Sequence, residues 1–185
     1  MKEETRGRST PRVHLWIKGF LPLAAVMSVA IAASTVESPI GFKTEKYLRS
    51  LFPEASNISA NTEGLPHFRI YEGQEPVLVG FAYYTTDIET LEIGYKSPIN
   101  FLVGMTVNGE ILDIRLIEHD EPYGYFSIET DDFTAQFKGK SILDRFRVGR
   151  DIDAISSATI TIASAARSIR NSGRRIAKQF LAEGG

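Results

Sequence analysis

The pattern of hydrophobic and polar positions along the chain predicts a series of short elements. Residues 44–52 place their apolar side chains on one side, which predicts an amphipathic helix stopped by Pro53. The polar residues 57–66 predict a loop. Alternating or continuous apolar positions then predict strands at residues 67–71, 77–86, 100–107 and 111–118. Strands that follow one another so closely predict an antiparallel meander.

The pair Asn108-Gly109 separates the last two predicted strands. This dipeptide is the best short-range signal for a type I′ turn, in which both central residues take positive φ. The two flanking strands are therefore expected to be antiparallel neighbours.

Two helices are predicted after the strands. Residues 131–137 place Phe133 and Phe137 four positions apart, as on one face of a short helix. From Ile162 onward, apolar residues recur at helical spacings and arginines fill the other faces, which predicts a long C-terminal helix. Strands followed by helices predict an α+β domain, an antiparallel sheet with helices packed on one face.

An uncharged stretch precedes all of these elements. Residues 19–36 contain no charged side chain. Their length lies between that of a signal-peptide core and that of a transmembrane helix of about 20 residues. Ala30 and Ala32 form a small-x-small pattern that fits signal-peptidase cleavage, whereas Trp16 beside Lys18 fits an interfacial membrane anchor. A buried core helix is the alternative, although an all-apolar helix needs a core on every side.

The distribution of charge predicts how this stretch is oriented across the membrane. The 185 residues carry 21 Lys and Arg against 23 Asp and Glu, for a net charge of −2. Residues 1–33 hold five basic and two acidic side chains, which leaves 16 basic and 21 acidic ones for the remainder. A basic flank stays in the cytoplasm, so the chain is expected to be exported from about residue 37 onward. We predict a basic leader with a membrane anchor or signal peptide at 1–36, and one domain at 37–185.

Composition excludes several classes of chemistry. The near-neutral charge gives no case for nucleic-acid binding. The chain has no cysteine, which excludes disulfides, thiolate catalysis, Cys-ligated zinc and iron–sulfur clusters. The three histidines lie far apart in the sequence; a metal site at His119-Asp120-Glu121 remains as an alternative, although contiguous side chains point in different directions.

The residues directly before the long helix carry the most informative pattern. A helix N-terminus has free N–H groups and a positive dipole end, which favour a capping side chain or an anion. The simplest interpretation is that Ser156, Ser157 or Thr159 caps the helix. Residues 153–159, however, read D-A-I-S-S-A-T. This segment resembles the D-x-x-[S/T]-G-A-T flavinylation motif of the FMN-binding domain family, of the RnfG, NqrC and NosR type.

The resemblance implies a covalent cofactor. In that family a flavin transferase joins the phosphate of FMN to the threonine hydroxyl as a phosphoester, and the matching position here is Thr159. Asp153 would belong to the recognition pattern of the transferase. Thr161, the next hydroxyl, is the fallback acceptor. Ser156, Ser157 and Ala158 complete this part of the expected cofactor-binding set.

Serine at position 157 departs from the family, which usually has glycine there. Serine adds only a hydroxymethyl group, so Ser157 is expected to be tolerated unless the backbone needs positive φ at this position.

Two upstream segments also resemble the family. Residues 119–125, H-D-E-P-Y-G-Y, resemble its E-[TS]-P-G turn with Tyr123 inserted before the glycine. This resemblance adds Glu121, Tyr123 and Gly124 to the expected cofactor-binding residues. Residues 133–140, F-T-A-Q-F-K-G-K, resemble its F-x-x-Q-F-x-G-K segment.

Two further groups of side chains are candidates for contact with the cofactor. Three arginines are candidates for the phosphate or a reduced flavin, with a solvated loop face as the alternative: Arg145, Arg147 and Arg150. Three aromatic residues are candidates for stacking on the isoalloxazine ring, with sheet-edge packing as the alternative: Tyr123, Tyr125 and Phe126.

Together these features predict an exported, membrane-tethered flavoprotein that carries electrons and is not a self-contained catalyst. Its expected partners are a flavin transferase and membrane or extracytoplasmic redox proteins. Its expected location is the periplasmic side of the cell membrane, or the periplasm if the leader is cleaved. The alternative is a flavin-free envelope binding or regulatory module on the same fold.

Overall fold

A computed structural model of the chain describes residues 40–180, which contain one five-stranded sheet. The strands are adjacent in chain order and every neighbouring pair is antiparallel. The predicted meander is confirmed, and its last strand has the predicted bounds. The strands are β1 (Asn57–Asn61), β2 (His67–Glu72), β3 (Val77–Tyr84), β4 (Asn100–Thr106) and β5 (Ile111–Glu118).

The prediction of a loop at residues 57–66 was wrong for its first half. Residues Asn57–Asn61 form β1 and pair with β2, with Ile58 opposite Ile70. An edge strand has one neighbour and needs little apolar surface, and Ile58 alone supplies a buried anchor. The polar composition of this segment therefore hid a strand.

The hairpin between β4 and β5 is confirmed, but its turn is not type I′. Gly109 has φ 80, whereas Asn108 is not among the described residues with positive φ. The N–H of Gly109 donates to the Thr106 carbonyl at 3.0 Å, and the N–H of Thr106 donates to the Glu110 carbonyl at 2.9 Å. This pattern is a three-residue loop with a glycine bulge, which needs positive φ only at the glycine.

Four α-helices accompany the sheet in the described part of the chain. The predicted helices at 44–52 and 131–137 are confirmed with small shifts, and the C-terminal helix begins three residues before Ile162. Residues 85–86, predicted to end a strand, instead begin a short helix. The helices are α1 (Phe42–Leu51), α2 (Thr85–Ile88), α3 (Asp131–Ala135) and α4 (Thr159–Phe180).

Helices pack on both faces of the sheet, so the prediction of a single covered face was wrong. Successive residues of a strand point to opposite faces. Phe81 and Tyr83 of β3 join the core that contains Phe133 and the buried side of α4. Ala82, between them, joins a second core that contains Leu48 of α1. The amphipathic pattern of α1 predicted which side of the helix is buried, but it could not predict which face of the sheet the helix covers.

The described helices include none that is long and apolar enough to cross a membrane. The apolar stretch at 19–36 and the predicted boundary at residue 36 lie outside the described residues, and both stay predictions.

Candidate functional site

Helix α4 begins within the motif segment. The carbonyl of Ala158 accepts the first helical hydrogen bond from the N–H of Ile162 at 2.9 Å, so Thr159 is the first helical residue. Within residues 40–180, the N–H groups of Thr159, Ile160 and Thr161 take part in no hydrogen bond. The alternative interpretation, a cap at Ser156, Ser157 or Thr159, is therefore supported by no hydrogen bond among the described residues. Three free donors at the positive end of a 22-residue helix form a place that suits an anion.

Ser157 takes a left-handed backbone conformation, with φ 70. This is the condition under which serine was expected to be poorly tolerated at the glycine position of the motif. A left-handed non-glycine residue costs roughly 1–2 kcal/mol. The next residue, Ala158, is buried in the core and anchors the turn despite this cost. The positive φ explains why the motif usually has glycine at this position. In this chain serine takes the same φ, at the cost of backbone strain.

Thr159 and Thr161 differ in what their hydroxyl groups do. Thr159 is exposed, and its hydroxyl has no hydrogen-bond partner in the described part of the chain. Thr161 is only 2% exposed and donates its hydroxyl hydrogen bond to a carboxylate oxygen of Glu121. A buried, bonded hydroxyl is a poor acceptor for a cofactor, so the geometry favours Thr159 over Thr161.

Glu121 is the polar centre of the site. Its side chain, 6% exposed, accepts three successive backbone N–H groups, those of Tyr95 at 2.9 Å, Lys96 at 2.8 Å and Ser97 at 3.0 Å. Burial would raise the pKa of Glu121, but the hydrogen bonds from Thr161 and these N–H groups outweigh it and lower that pKa. The carboxylate is therefore charged and ties the loop before β4 to the start of α4.

Gly94 makes this contact possible. A Cβ atom at Gly94 would lie 2.6 Å from Oε1 of Glu121, closer than real contacts allow. The loop can approach the carboxylate only because position 94 lacks a side chain.

The turn that follows Glu121 is fixed by His119. The N–H of Glu121 donates to Nδ1 of His119 at 3.0 Å, and Nε2 of His119 lies 3.2 Å from the Glu129 carboxylate. A Cβ at Gly124 would lie 2.3 Å from Cε1 of His119, so only glycine fits there. Asp120 instead pairs with Lys96 at 2.5 Å. The three residues at 119–121 thus serve three different contacts, and the described residues contain no group of three potential metal ligands.

A groove of about 280 Å³ lies at the start of α4. Its lining includes residues 157–161, from the end of the motif and the start of α4, together with two tyrosines from other parts of the chain, Tyr95 and Tyr123. Tyr123 was predicted for the site, whereas Tyr95 was missed. Tyr125 and Phe126, which were also stacking candidates, do not line the groove; Phe126 packs partly against the core.

A hydrogen bond joins the two motif segments. Oε1 of Gln136 accepts the backbone N–H of Asp153 at 2.6 Å. Phe133 and Phe137, on either side of Gln136 in the sequence, are buried in the core. The F-x-x-Q-F pattern therefore anchors two rings and aims the amide at the motif loop. The side chain of Asp153 is left exposed.

The three candidate arginines lie elsewhere. Arg145, Arg147 and Arg150 line a separate cleft of about 460 Å³ with Lys140, and none of them lines the groove beside Thr159. The geometry supports the solvated loop face for them and not a contact with the phosphate at α4.

Comparisons with known proteins agree with the motifs. Residues 94–172 match the model of the FMN-binding domain family. The chain is 28% identical over 158 residues to regulatory protein NosR of Stutzerimonas stutzeri, which covers 80% of this chain and 21% of NosR. It is 33% identical over 87 residues to the RnfG-type subunit of the ion-translocating oxidoreductase complex of Vibrio atlanticus. The aligned residues cover 42% of this chain and 42% of that subunit.

The corresponding RnfG-type protein of Cereibacter sphaeroides is 29% identical over 172 residues, which cover 83% of this chain and 78% of that protein. This chain therefore spans about a fifth of NosR and less than half of the Vibrio protein. The matched segment contains Gly94, Glu121, Gln136 and Thr159, the residues around which the site is built. Residues 94–172 are an FMN-binding domain of the type found in NosR and in the RnfG-type subunits of ion-translocating oxidoreductase complexes.

Proposed function

We propose that this chain is an exported, membrane-tethered flavoprotein that carries electrons through an FMN joined by a phosphoester to Thr159. One observation carries the proposal. The exposed Thr159 hydroxyl belongs to the first residue of a long helix whose first three N–H groups are free within the described residues. The match of this segment to an FMN-binding domain supports the choice of cofactor.

The residues present fit the phosphate of FMN. A phosphodiester keeps one negative charge, and the free N–H groups of Thr159, Ile160 and Thr161 are donors for its oxygens. The helix dipole adds roughly 0.3–1 kcal/mol for an exposed anion near the first turn. Glu121 is charged, but it accepts hydrogen bonds from the Thr161 hydroxyl and from three backbone N–H groups, and these donors partly screen its charge from an anion at Thr159.

The groove fits part of a flat ring system. Ligand pockets usually measure about 300–1,000 Å³. The groove, about 280 Å³, is slightly smaller than that range and opens to solvent. Tyr95 and Tyr123 offer aromatic surface, and the exposed Ile160 offers apolar surface, beside the attachment threonine.

Attachment needs an activated flavin and an enzyme. In the proposed step, the oxygen of Thr159 attacks the FMN phosphorus of a flavin pyrophosphate. The bond from that phosphorus to the bridging oxygen breaks, and the second phosphate leaves with the bridging oxygen. The threonine proton goes to a base of the flavin transferase or to water. The exposed Asp153 and the segment held by Gln136 would present the motif to that enzyme.

The bound flavin would supply the redox chemistry, and the protein would hold its phosphate and ring in place. The chain has no cysteine, so any thiolate-ligated clusters of the pathway would lie outside these 185 residues. The similarity to a component of ion-translocating oxidoreductase complexes supports a membrane redox complex as the partner. The basic leader and the uncharged stretch at 19–36 support tethering on the extracytoplasmic side.

Visible absorbance after denaturation tests the proposal. The full chain, co-expressed with a flavin transferase, is unfolded in guanidinium and gel-filtered to remove free flavin. We expect a flavin spectrum that stays with the wild-type chain and is lost in Thr159→Ala. The control is Thr62→Ala, which removes an exposed threonine hydroxyl from a loop far from Thr159 in the sequence. This variant should keep the flavin spectrum. Loss of colour from the wild type on denaturation contradicts the covalent link.

The strain at Ser157 favours a second candidate, a flavin-free envelope binding or regulatory module on the same fold. A chain that no longer binds flavin has no need for the motif glycine. Absence of flavin absorbance from protein purified from its native membrane would support this candidate, and its presence would exclude it.

A further inference from the structure

The loop between α2 and β4 exposes large apolar side chains while being firmly held. Leu91, Ile93 and Tyr95 are 91%, 55% and 63% exposed. Arg167 of α4 holds the loop through Glu92, with Nη2 2.7 Å from the carboxylate. Exposed apolar side chains that form one contiguous patch often mark a binding surface.

Two further contacts hold the loop, one at its start and one near its end. Arg175 of α4 donates to the carbonyl of Ile88 at the start of the loop, and Glu121 accepts the N–H of Tyr95 near its end. The backbone of Tyr95 is therefore fixed relative to α4, although its ring is mostly in solvent. Fixing the backbone of an exposed ring lowers the entropy lost when a partner stacks on it.

Tyr95, which is mostly exposed, lines the same groove as Thr159. The groove is thus lined by the threonine of the proposed attachment and by a mostly exposed tyrosine whose backbone is held in place. A flat aromatic group tethered at Thr159 by a flexible chain would bury both its own face and that of Tyr95.

We propose that Tyr95 is the residue against which the isoalloxazine ring of the flavin on Thr159 stacks, and that Glu121 is the positioning residue that holds Tyr95. This inference rests on the proposed function. Glu121 acts through the backbone of Tyr95 and does not touch the ring. Tyr123, on the same groove, packs against Phe126 with ring centroids 5.7 Å apart, so part of its face is already occupied.

Flavin fluorescence provides a direct readout of stacking. A tyrosine in contact with an excited flavin quenches it, because the phenol transfers an electron to the flavin and then receives it back. The experiment compares the fluorescence yield per covalent flavin in the full, flavinylated chain, with loading measured by intact mass. We expect at least a threefold increase in Tyr95→Leu. Tyr125→Leu, which removes a tyrosine of similar exposure outside the groove, should change the yield by less than a fifth.

The variant Tyr95→Phe separates stacking from general disturbance. Phenylalanine keeps the aromatic face but does not donate an electron to an excited flavin. We expect its fluorescence to rise as in Tyr95→Leu, while the visible circular dichroism of the flavin stays like that of the wild type. If the wild type and the Tyr95 variants carry covalent flavin and show the same fluorescence yield, the proposed stacking is overturned.

The role of Glu121 needs a double variant. Glu121→Gln loses part of the hydrogen-bond set, so the loop should loosen and fluorescence should rise while Tyr95 is still present. In the Tyr95→Leu background the same change should add nothing further, because Glu121 acts through Tyr95. An equal, additive rise in both backgrounds overturns the positioning role. Should Glu121→Gln not fold, Thr161→Val removes one donor to Glu121 and takes its place.

Covalent attachment and ring stacking fail in different ways. A wild-type chain without covalent flavin overturns the proposed function and, with it, the stacking. A wild-type chain that carries covalent flavin but ignores Tyr95 overturns only the stacking.

Discussion

The hydroxyl of Thr161 donates a hydrogen bond to Glu121, forty residues earlier in the chain. This contact joins the first turn of α4 to the loop that carries Tyr95. Replacing Thr161 with valine keeps the shape and leaves the buried carboxylate with one donor fewer. Hydrogen bonds to charged groups are worth roughly 1.5–3 kcal/mol, so Thr161→Val should lower the free energy of unfolding by about that amount. Urea unfolding measures it.

The exposed Thr62 supplies the control for that change. Thr62→Val should alter the free energy of unfolding by less than about 0.5 kcal/mol, as surface substitutions usually do. A Thr161→Val protein as stable as Thr62→Val would remove the energetic basis of the contact between Thr161 and Glu121.

The lowered pKa of Glu121 predicts a pH dependence of stability. As the pH falls, the unfolded chain binds a proton at this group near its ordinary pKa of 4.5. The folded chain, in which the pKa of Glu121 is lower, binds that proton only at a lower pH. Its contribution is therefore complete above pH 4.5 and is lost as the pH falls through the folded pKa. Comparison with Glu121→Gln isolates it: the stability difference between the two proteins should shrink as the solution is acidified.

A difference for Glu121→Gln that stays constant from neutral pH down to the acid transition would show that Glu121 has the same pKa in both states.

Ser157 predicts a stabilising substitution. Glycine takes the φ of 70 at this position without strain, so Ser157→Gly should raise the free energy of unfolding by about 1 kcal/mol. Thermal and urea unfolding both report this gain. Ser156→Gly, at an exposed neighbour outside the positive-φ set, should give no gain and instead lose up to about 1 kcal/mol. Equal responses at the two positions would contradict the strain.

Gln136 predicts how the motif loop is held. Gln136→Ala leaves the N–H of Asp153 without its acceptor and should cost about 0.5–1.5 kcal/mol. Hydrogen exchange should speed up at Asp153. Lys138→Ala, at an exposed site two residues on, should leave that exchange rate unchanged. An unaltered rate in Gln136→Ala would show that this hydrogen bond does not order the loop.

Much of the fold could be predicted because its signals are local. Alternation marked β2 to β5, and the spacing of Phe133 and Phe137 marked α3. The errors arose where tertiary contacts decide. β1 is polar and is held as a strand by pairing with β2, and the face that α1 covers depends on packing against the sheet.

The site was predicted in part for the same reason. The segment 153–159 is contiguous, so its resemblance to a known motif identified Thr159. Tyr95 was missed because its place in the groove depends on a hydrogen bond to Glu121, 26 residues away. Arg145, Arg147 and Arg150 are near Thr159 in the sequence, but the intervening turn directs them to another cleft. Sequence distance was a poor guide in both cases.

Tandem mass spectrometry of the flavin-bearing peptide is the decisive measurement for attachment at Thr159. The full chain is purified after co-expression with a flavin transferase, digested, and its peptides are fragmented. We predict the mass of one FMN, less one water, on the peptide that contains residues 153–166, with fragment ions that locate it on Thr159. An unmodified peptide, or a flavin located on Ser156, Ser157 or Thr161, would contradict attachment at this threonine.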